Sequence, residues 1–229
     1  MHVPDGFLDA PTSVATGAVA VVAVACSLRG ARRELDDRTA PAAGLVATFV
    51  FAAQMINFPV GAGTSGHLMG GALAAVLVGP WTAVLCLSVV LVVQALLMAD
   101  GGITALGTNI TLIGIVTVVV GYGVFVVLRR VLPKRLGMVA PAAAVGALVS
   151  VPAAALVFTL LFAVGGNVPV DLGAVMTAML GWHAVIGVGE AVVTGLVVAS
   201  VVAARPDLVH GARPLLVERE LELRTGVAR

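Results

Sequence analysis

Charge is what this 229-residue sequence has least of: Asp, Glu, Lys and Arg together make up 11% of it, against 60% hydrophobic residues. Soluble domains carry about 25% charged residues, so a water-facing globular surface is excluded and the chain reads as an integral membrane protein. Lysine occurs once, at Lys134 behind Pro133. No Gly-Lys-Ser/Thr phosphate loop can therefore form, so the chain is not its own P-loop ATPase and ATP-driven import needs separate subunits. The two cysteines, Cys26 and Cys86, stand alone in apolar runs without Cys-x-x-Cys spacing and read as small packing hydrophobes. Residues 1 to 10 hold two acids and no base, the reverse of a signal-peptide start, so the chain is expected to begin at Met1. Nothing in the sequence points to nucleic acid.

What is present is a series of apolar runs at 12–28, 41–58, 81–99, 103–128, 138–164 and 172–204, each long enough to span hydrocarbon. A further run, 67–79, would cover only about 20 Å as a helix, so it must begin or end inside the membrane, lined by protein. The fold class expected is all-α: a bundle of about seven transmembrane helices over 1–204, followed by a cytoplasmic tail over 205–229. Basic residues cluster after the first, fifth and last runs (Arg29–Arg38, Arg129–Arg135, Arg205 onward), whereas Asp5, Asp9, Asp100 and Asp171 fall on the other side. The positive-inside rule places the amino terminus outside and the carboxyl terminus in the cytoplasm. Pro141 and Pro152 predict a kink in the sixth helix. No internal repeat is evident.

The stretch from Gln54 to Gly71 interrupts the apolar pattern with Gly61, Gly63 and Gly66, a density that suggests backbone conformations closed to other residues or close approach to a ligand. It ends on His67. Ser65 is two residues away, too close in sequence to face His67 on a helix or a strand, so a serine hydrolase dyad is a poor reading. Ionisable and amide groups inside spans are candidates for function by virtue of their burial cost. Glu190 follows His183 by seven residues, which puts both on one helix face, and Gln94 or Asn109 are suited to orient a ligand histidine through its second ring nitrogen. Met1-His2 adds coordination chemistry. A free terminal amine, the His2 amide nitrogen and the His2 Nδ1 close two fused chelate rings around one ion. An imidazole from His67 completes an all-nitrogen square suited to Ni(II), Cu(II) or low-spin Co(II) and unsuited to tetrahedral zinc.

Met1-His-Val-Pro-Asp-Gly-Phe-Leu8, Gln54-Met-Ile-Asn-Phe-Pro-Val60, Gly63-Thr-Ser-Gly-His-Leu68, Gly79-Pro-Trp81, Gln94-Ala-Leu96, Asp100 to Asn109 and His183 to Thr194 together resemble the CbiM and NikM family. These are substrate-specific membrane components of energy-coupling-factor cobalt and nickel importers. The resemblance implies a seven-helix bundle in the cell membrane, not an enzyme, that holds Co(II) or Ni(II) near the outer surface through Met1, His2 and His67. Support for that site is expected from Asn57, Gly63, Thr64, Ser65, Gly66, Gln94, Asp100, Asn109, His183 and Glu190. No organic cofactor is expected. The partners implied are a transmembrane coupling subunit, cytoplasmic ATPase subunits and a small accessory membrane subunit; cobalt, for cobalamin biosynthesis, is favoured over nickel. The alternative is a self-sufficient metal channel or proton-coupled carrier with His183 and Glu190 as its relay.

The charge asymmetry has a direct test. Single cysteines placed next to Asp171 and next to Arg33, in a chain lacking Cys26 and Cys86, should label from opposite faces of intact cells, with the Asp171 site outside; the reverse pattern overturns the orientation.

Overall fold

The structure, a computed structural model, describes residues 1–37, 39–61 and 64–227; Gly63 lies outside the described residues. Helix α1 spans Ala10–Gly30 and α2 Ala40–Gln54, followed by a hairpin of β1 (Phe58–Gly61) and β2 (Thr64–Gly66). Then come α3 (Gly71–Val78), α4 (Pro80–Leu97), α5 (Leu106–Val131, with a π-helical stretch at Ile110–Val116), α6 (Val139–Gly165) and α7 (Leu172–Ala204). A last helix, α8, covers Arg213–Val227. Among the described residues five helices, α1 and α4 to α7, are long and apolar enough to cross a membrane; α2 is shorter and α3 has only eight residues.

Local chemistry sets many of these boundaries. Asp9 accepts from the Thr12 amide at 2.9 Å and Pro11 sits in the first turn, so α1 starts where a carboxylate and a proline both favour it. Asp171 caps α7 in the same way through the Ala174 amide, also 2.9 Å. Proline opens α2 and α4 as well. Two expectations need correction. Helix α2 ends at Gln54 rather than running to the end of the apolar stretch at Phe58, and the following loop pairs as a hairpin with Pro59 opposite Ser65. Helix α3 begins at Gly71, not at His67, because Gly70 takes φ +80° and its turn is held by a carboxylate from α7. Helix α6 continues through Pro152.

The short helix is the centre of the molecule. All eight residues of α3 are buried, among them Leu73, Ala74 and Val76 with no exposed surface at all. Irregular backbone at bilayer depth is tolerable only when protein surrounds it, and here the long helices do so. Outward faces are apolar instead: Val21, Leu45, Val119, Val188 and Leu196 are all exposed, the surface expected of a lipid-facing bundle. Cys26, expected to pack inside, faces outward on α1 for the same reason: lipid accepts it.

Helix contacts rely on small residues and hydroxyls. A Cβ on Gly107 of α5 would collide with the backbone of Gly17 on α1. Beside that crossing Thr16 bonds Thr108 at 2.7 Å, and Thr111 donates to the Thr16 carbonyl at 3.0 Å. At one end of the bundle the amino-terminal segment meets the α4–α5 and α6–α7 loops; at the other, Arg213 donates to the Glu34 carbonyl and Lys134 pairs with Glu218. The backbone clash generates a prediction. Gly107→Ala should destabilise the protein by about 1–3 kcal/mol, read as a lowered unfolding midpoint in detergent, while Gly123→Ala, which meets nothing within 4 Å, should not.

Candidate metal site

The amino terminus is not a fraying tail. Asp9 N donates to Gly165 O (2.7 Å) and Asn167 N to Phe7 O (3.0 Å), fastening the segment to the α6–α7 loop, and Phe7 packs on Phe158 and Phe162. Further in, Asn109 grips Val3 from both sides: its Oδ1 accepts from Val3 N at 2.7 Å and its Nδ2 donates to Val3 O at 3.1 Å. Gly102 N donates a second bond to that carbonyl. These contacts draw Met1 and His2 into the protein, where they are 1% and 6% exposed. Burial pushes the Met1 amine down from 8.0 to about 4, with the Asp100 charge opposing the shift, so at neutral pH it carries a free lone pair.

The two nitrogens of the His2 ring meet different surroundings. Nε2 lies 3.0 Å from Gln94 Oε1. Nδ1 is buried without a hydrogen-bond partner, although Asp100 Oδ1 stands 3.0 Å away, outside hydrogen-bonding alignment. Contact with that ring, and the Met1 and Asn57 groups nearby, hold the Asp100 carboxyl below its ordinary range. An acceptor oxygen facing a ring lone pair is a place where a cation relieves repulsion.

His67, 1% exposed, stacks on His2 with ring centroids 4.4 Å apart and planes 21° apart. Its Nδ1 donates to Leu68 O at 2.8 Å, leaving Nε2 buried and unpartnered. The open corner of a chelate made by the amine, amide and Nδ1 lies beside the Nδ1 corner. A fourth ligand must therefore bring its ring next to that of His2, where the His67 ring already sits. Among the described residues no three His, Cys, Asp or Glu side chains form a metal cluster. A donor set half made of main-chain nitrogens contains no such trio.

The expected supporting residues divide. Gln94 and Asn109 touch the amino-terminal segment directly, and Asn57 donates to Asp100 Oδ2 at 3.0 Å. Gly66 takes no positive φ; it is small because a Cβ would meet Val60 and Ile186 at 2.6 and 2.7 Å. Thr64 and Ser65 lie in β2. His183 bonds Met179 O through Nδ1 at 2.7 Å and its buried Nε2 is unpartnered. Glu190 accepts from the amides of Met69 and Gly70 through its two oxygens, so its direct partners differ from that of His183. Gln54 was missed as a site residue: it accepts from Gln94 and donates to Met69 O, a bridging role that its place at the end of an apolar run does not announce. The groove beside the site, about 600 Å³ between α2 and α7, has His67 and Glu190 in an otherwise mostly apolar wall.

A multi-pass bundle with clustered, unpartnered nitrogen donors at one end defines a membrane protein that handles a transition metal, and known proteins agree. The profile of the CbiM family, described as a cobalt uptake substrate-specific transmembrane region, matches residues 2–208, and the chain belongs to that family. It is a metal transport protein and not an enzyme. It is 41% identical to a putative metal transport protein of Haloquadratum walsbyi, over 91% of this chain and 93% of that one. A fused nickel transport protein, NikMN, of Rhodobacter capsulatus is 35% identical over 99% of this chain and 69% of its own length. The crystal structure of a truncated transition metal transporter superposes with TM-score 0.82 at 32% identity, covering 89% of this chain and 99% of that one.

The buried amine makes stability pH-dependent. Its folded pKa lies below its unfolded value, so between about pH 4 and 8 only the unfolded chain takes up that proton, and metal-free stability should rise with pH across that window and level off above it. Denaturant unfolding of native and Nα-acetylated protein over a pH series checks this: the slope should be smaller in the acetylated form, and equal slopes would contradict the assignment.

Proposed function

We propose that this protein is the substrate-binding component of an ATP-driven importer of Co(II) or Ni(II), capturing the ion at the outer face of the cell membrane. The Met1 amine, the ionised His2 amide, His2 Nδ1 and His67 Nε2 form the ligand plane, with Asp100 supplying negative charge beside it. The observation that carries this reading is the pair of bare, buried ring nitrogens on stacked His2 and His67, next to an amine that burial keeps unprotonated. Buried nitrogen without a partner costs free energy, about 1–3 kcal/mol per group, which a ligand recovers. Four nitrogen donors in a plane suit either ion, and the names of the relatives include both metals.

With a single lysine and no phosphate loop, energy has to come from elsewhere. A coupling subunit in the membrane, cytoplasmic ATPase subunits and a small accessory membrane subunit complete the importer in this reading. The bundle end bearing Arg29–Arg33, Arg129–Arg135 and Arg213 faces the cytoplasm, and the Met1 end faces out.

The decisive experiment changes the main chain and leaves every side chain in place. One extra residue before Met1 destroys the five-membered chelate ring, so Ni(II) and Co(II) binding measured by titration calorimetry should be lost, as it should in His67→Ala with the protein still folded. Affinities equal to those of the native chain refute the amine chelate, because an ordinary exposed terminus tolerates such an extension.

A further inference from the structure

Both histidines are linked by hydrogen bonds and shared peptide groups to a carboxylate far along the sequence. Glu190, in α7 and 1% exposed, accepts from Met69 N through Oε2 (2.7 Å) and from Gly70 N through Oε1 (2.9 Å). Each amide belongs to a peptide group whose carbonyl, on the other side of the same plane, accepts a different hydrogen bond. The Leu68 carbonyl accepts from His67 Nδ1 at 2.8 Å. The Met69 carbonyl accepts from Gln54 Nε2 at 2.8 Å, Gln54 Oε1 accepts from Gln94 Nε2 at 3.0 Å, and Gln94 Oε1 lies 3.0 Å from His2 Nε2. Gln54 and Gln94 have no exposed surface.

The direction of every bond in this chain is forced. A main-chain carbonyl only accepts, so Gln54 must turn its NH2 to Met69 and its oxygen to Gln94. Gln94 must then present its own oxygen to His2, which makes Nε2 the protonated nitrogen and leaves the lone pair on Nδ1. Flipping either amide sets oxygen against oxygen at the next link. On the other branch the Leu68 carbonyl makes His67 Nδ1 the protonated nitrogen and leaves the lone pair on Nε2.

We propose that Glu190 is the root of a two-branched polar chain that fixes the opposite tautomers of His2 and His67, making Glu190, Gln54 and Gln94 positioning residues for the metal site. The inference rests on the ligand assignment given under the proposed function. A buried carboxylate facing two amides polarises both peptide groups, and aligned dipoles in a low-dielectric interior strengthen one another, so negative charge is passed toward both ring nitrogens that point at the ion. Partners of this kind typically control metal affinity by about 10–100-fold. The same chain ties α2, α4 and α7 to the loop before α3.

The branching gives the test its specificity. In metal-free full-length protein with isotope-labelled histidine, long-range proton–nitrogen correlation spectra at about pH 9, above the ordinary imidazole range, report each neutral tautomer. His2 should be protonated on Nε2 and His67 on Nδ1. Gln54→Leu should release the His2 preference and leave His67 unchanged, with His210 at the far end of the bundle as an internal control. Glu190→Gln offers one acceptor to two amides and should disturb at least one of the two rings while weakening Ni(II) binding about 10–100-fold. If Glu190→Gln does not fold, Gln54→Leu decides alone. An unchanged His2 tautomer in Gln54→Leu overturns the chain, and so does an equal shift of both rings, which is what general loosening would produce. A tautomer switch without any change in Ni(II) affinity supports the polar chain and removes His2 from the ligand set.

Discussion

The carboxylate of Glu190 at the start of α3 is the contact on which the rest of this bundle turns. A helix of eight residues cannot cross a membrane, so the chain must leave helical structure inside the protein, exposing peptide groups that lipid cannot satisfy. One charged side chain from α7 meets two of those amides, and Gln54 from α2 meets the carbonyl between them. An ionised carboxylate in such a place is itself costly unless it is fully hydrogen-bonded, and the two amides with the positive end of α3 provide that compensation. Removing one partner leaves the other stranded, so the arrangement holds as a unit.

The same solution recurs at the opposite end. Glu34, buried, accepts from Trp81 N, Thr82 N and Thr82 Oγ1 where the chain turns from α3 into α4. Two buried glutamates thus bracket the short central helix, one at each of the breaks that its shortness creates. The break near Glu190 carries His67. That near Glu34 joins the end where the basic residues collect.

The site works by economy of donors. Two imidazoles are committed to the protein through one nitrogen each, leaving the other nitrogen of each bare. The terminal amine is deprotonated by burial rather than by a neighbouring base. Holding the amino-terminal segment so firmly takes contacts from the α4–α5 and α6–α7 loops and from Asn109, where α5 passes into its π-helical turn. In the proposed chelate, a terminus on a flexible tail would lose conformational entropy on binding; in this fold that loss is met during folding.

How much of this was legible in the sequence follows from what kind of signal each feature leaves. Apolar runs and the near absence of charge determined a membrane bundle, the ends of α5 to α7 to within three residues, and the short third helix, because the bilayer imposes length and composition locally. Met1, His2 and His67 stood out because their chemistry is rare in such a chain. The hairpin before His67, the start of α3 at Gly71 and the bridging role of Gln54 did not, since each depends on partners distant along the chain. Glu190 was visible as a buried charge, but its distance of more than a hundred residues from Met69 hid its purpose. Sequence alone determines which groups are too costly to bury without a reason; only the tertiary structure decides which partner supplies that reason, because hydrogen bonds that satisfy a buried group are made across space between elements that the chain does not connect directly.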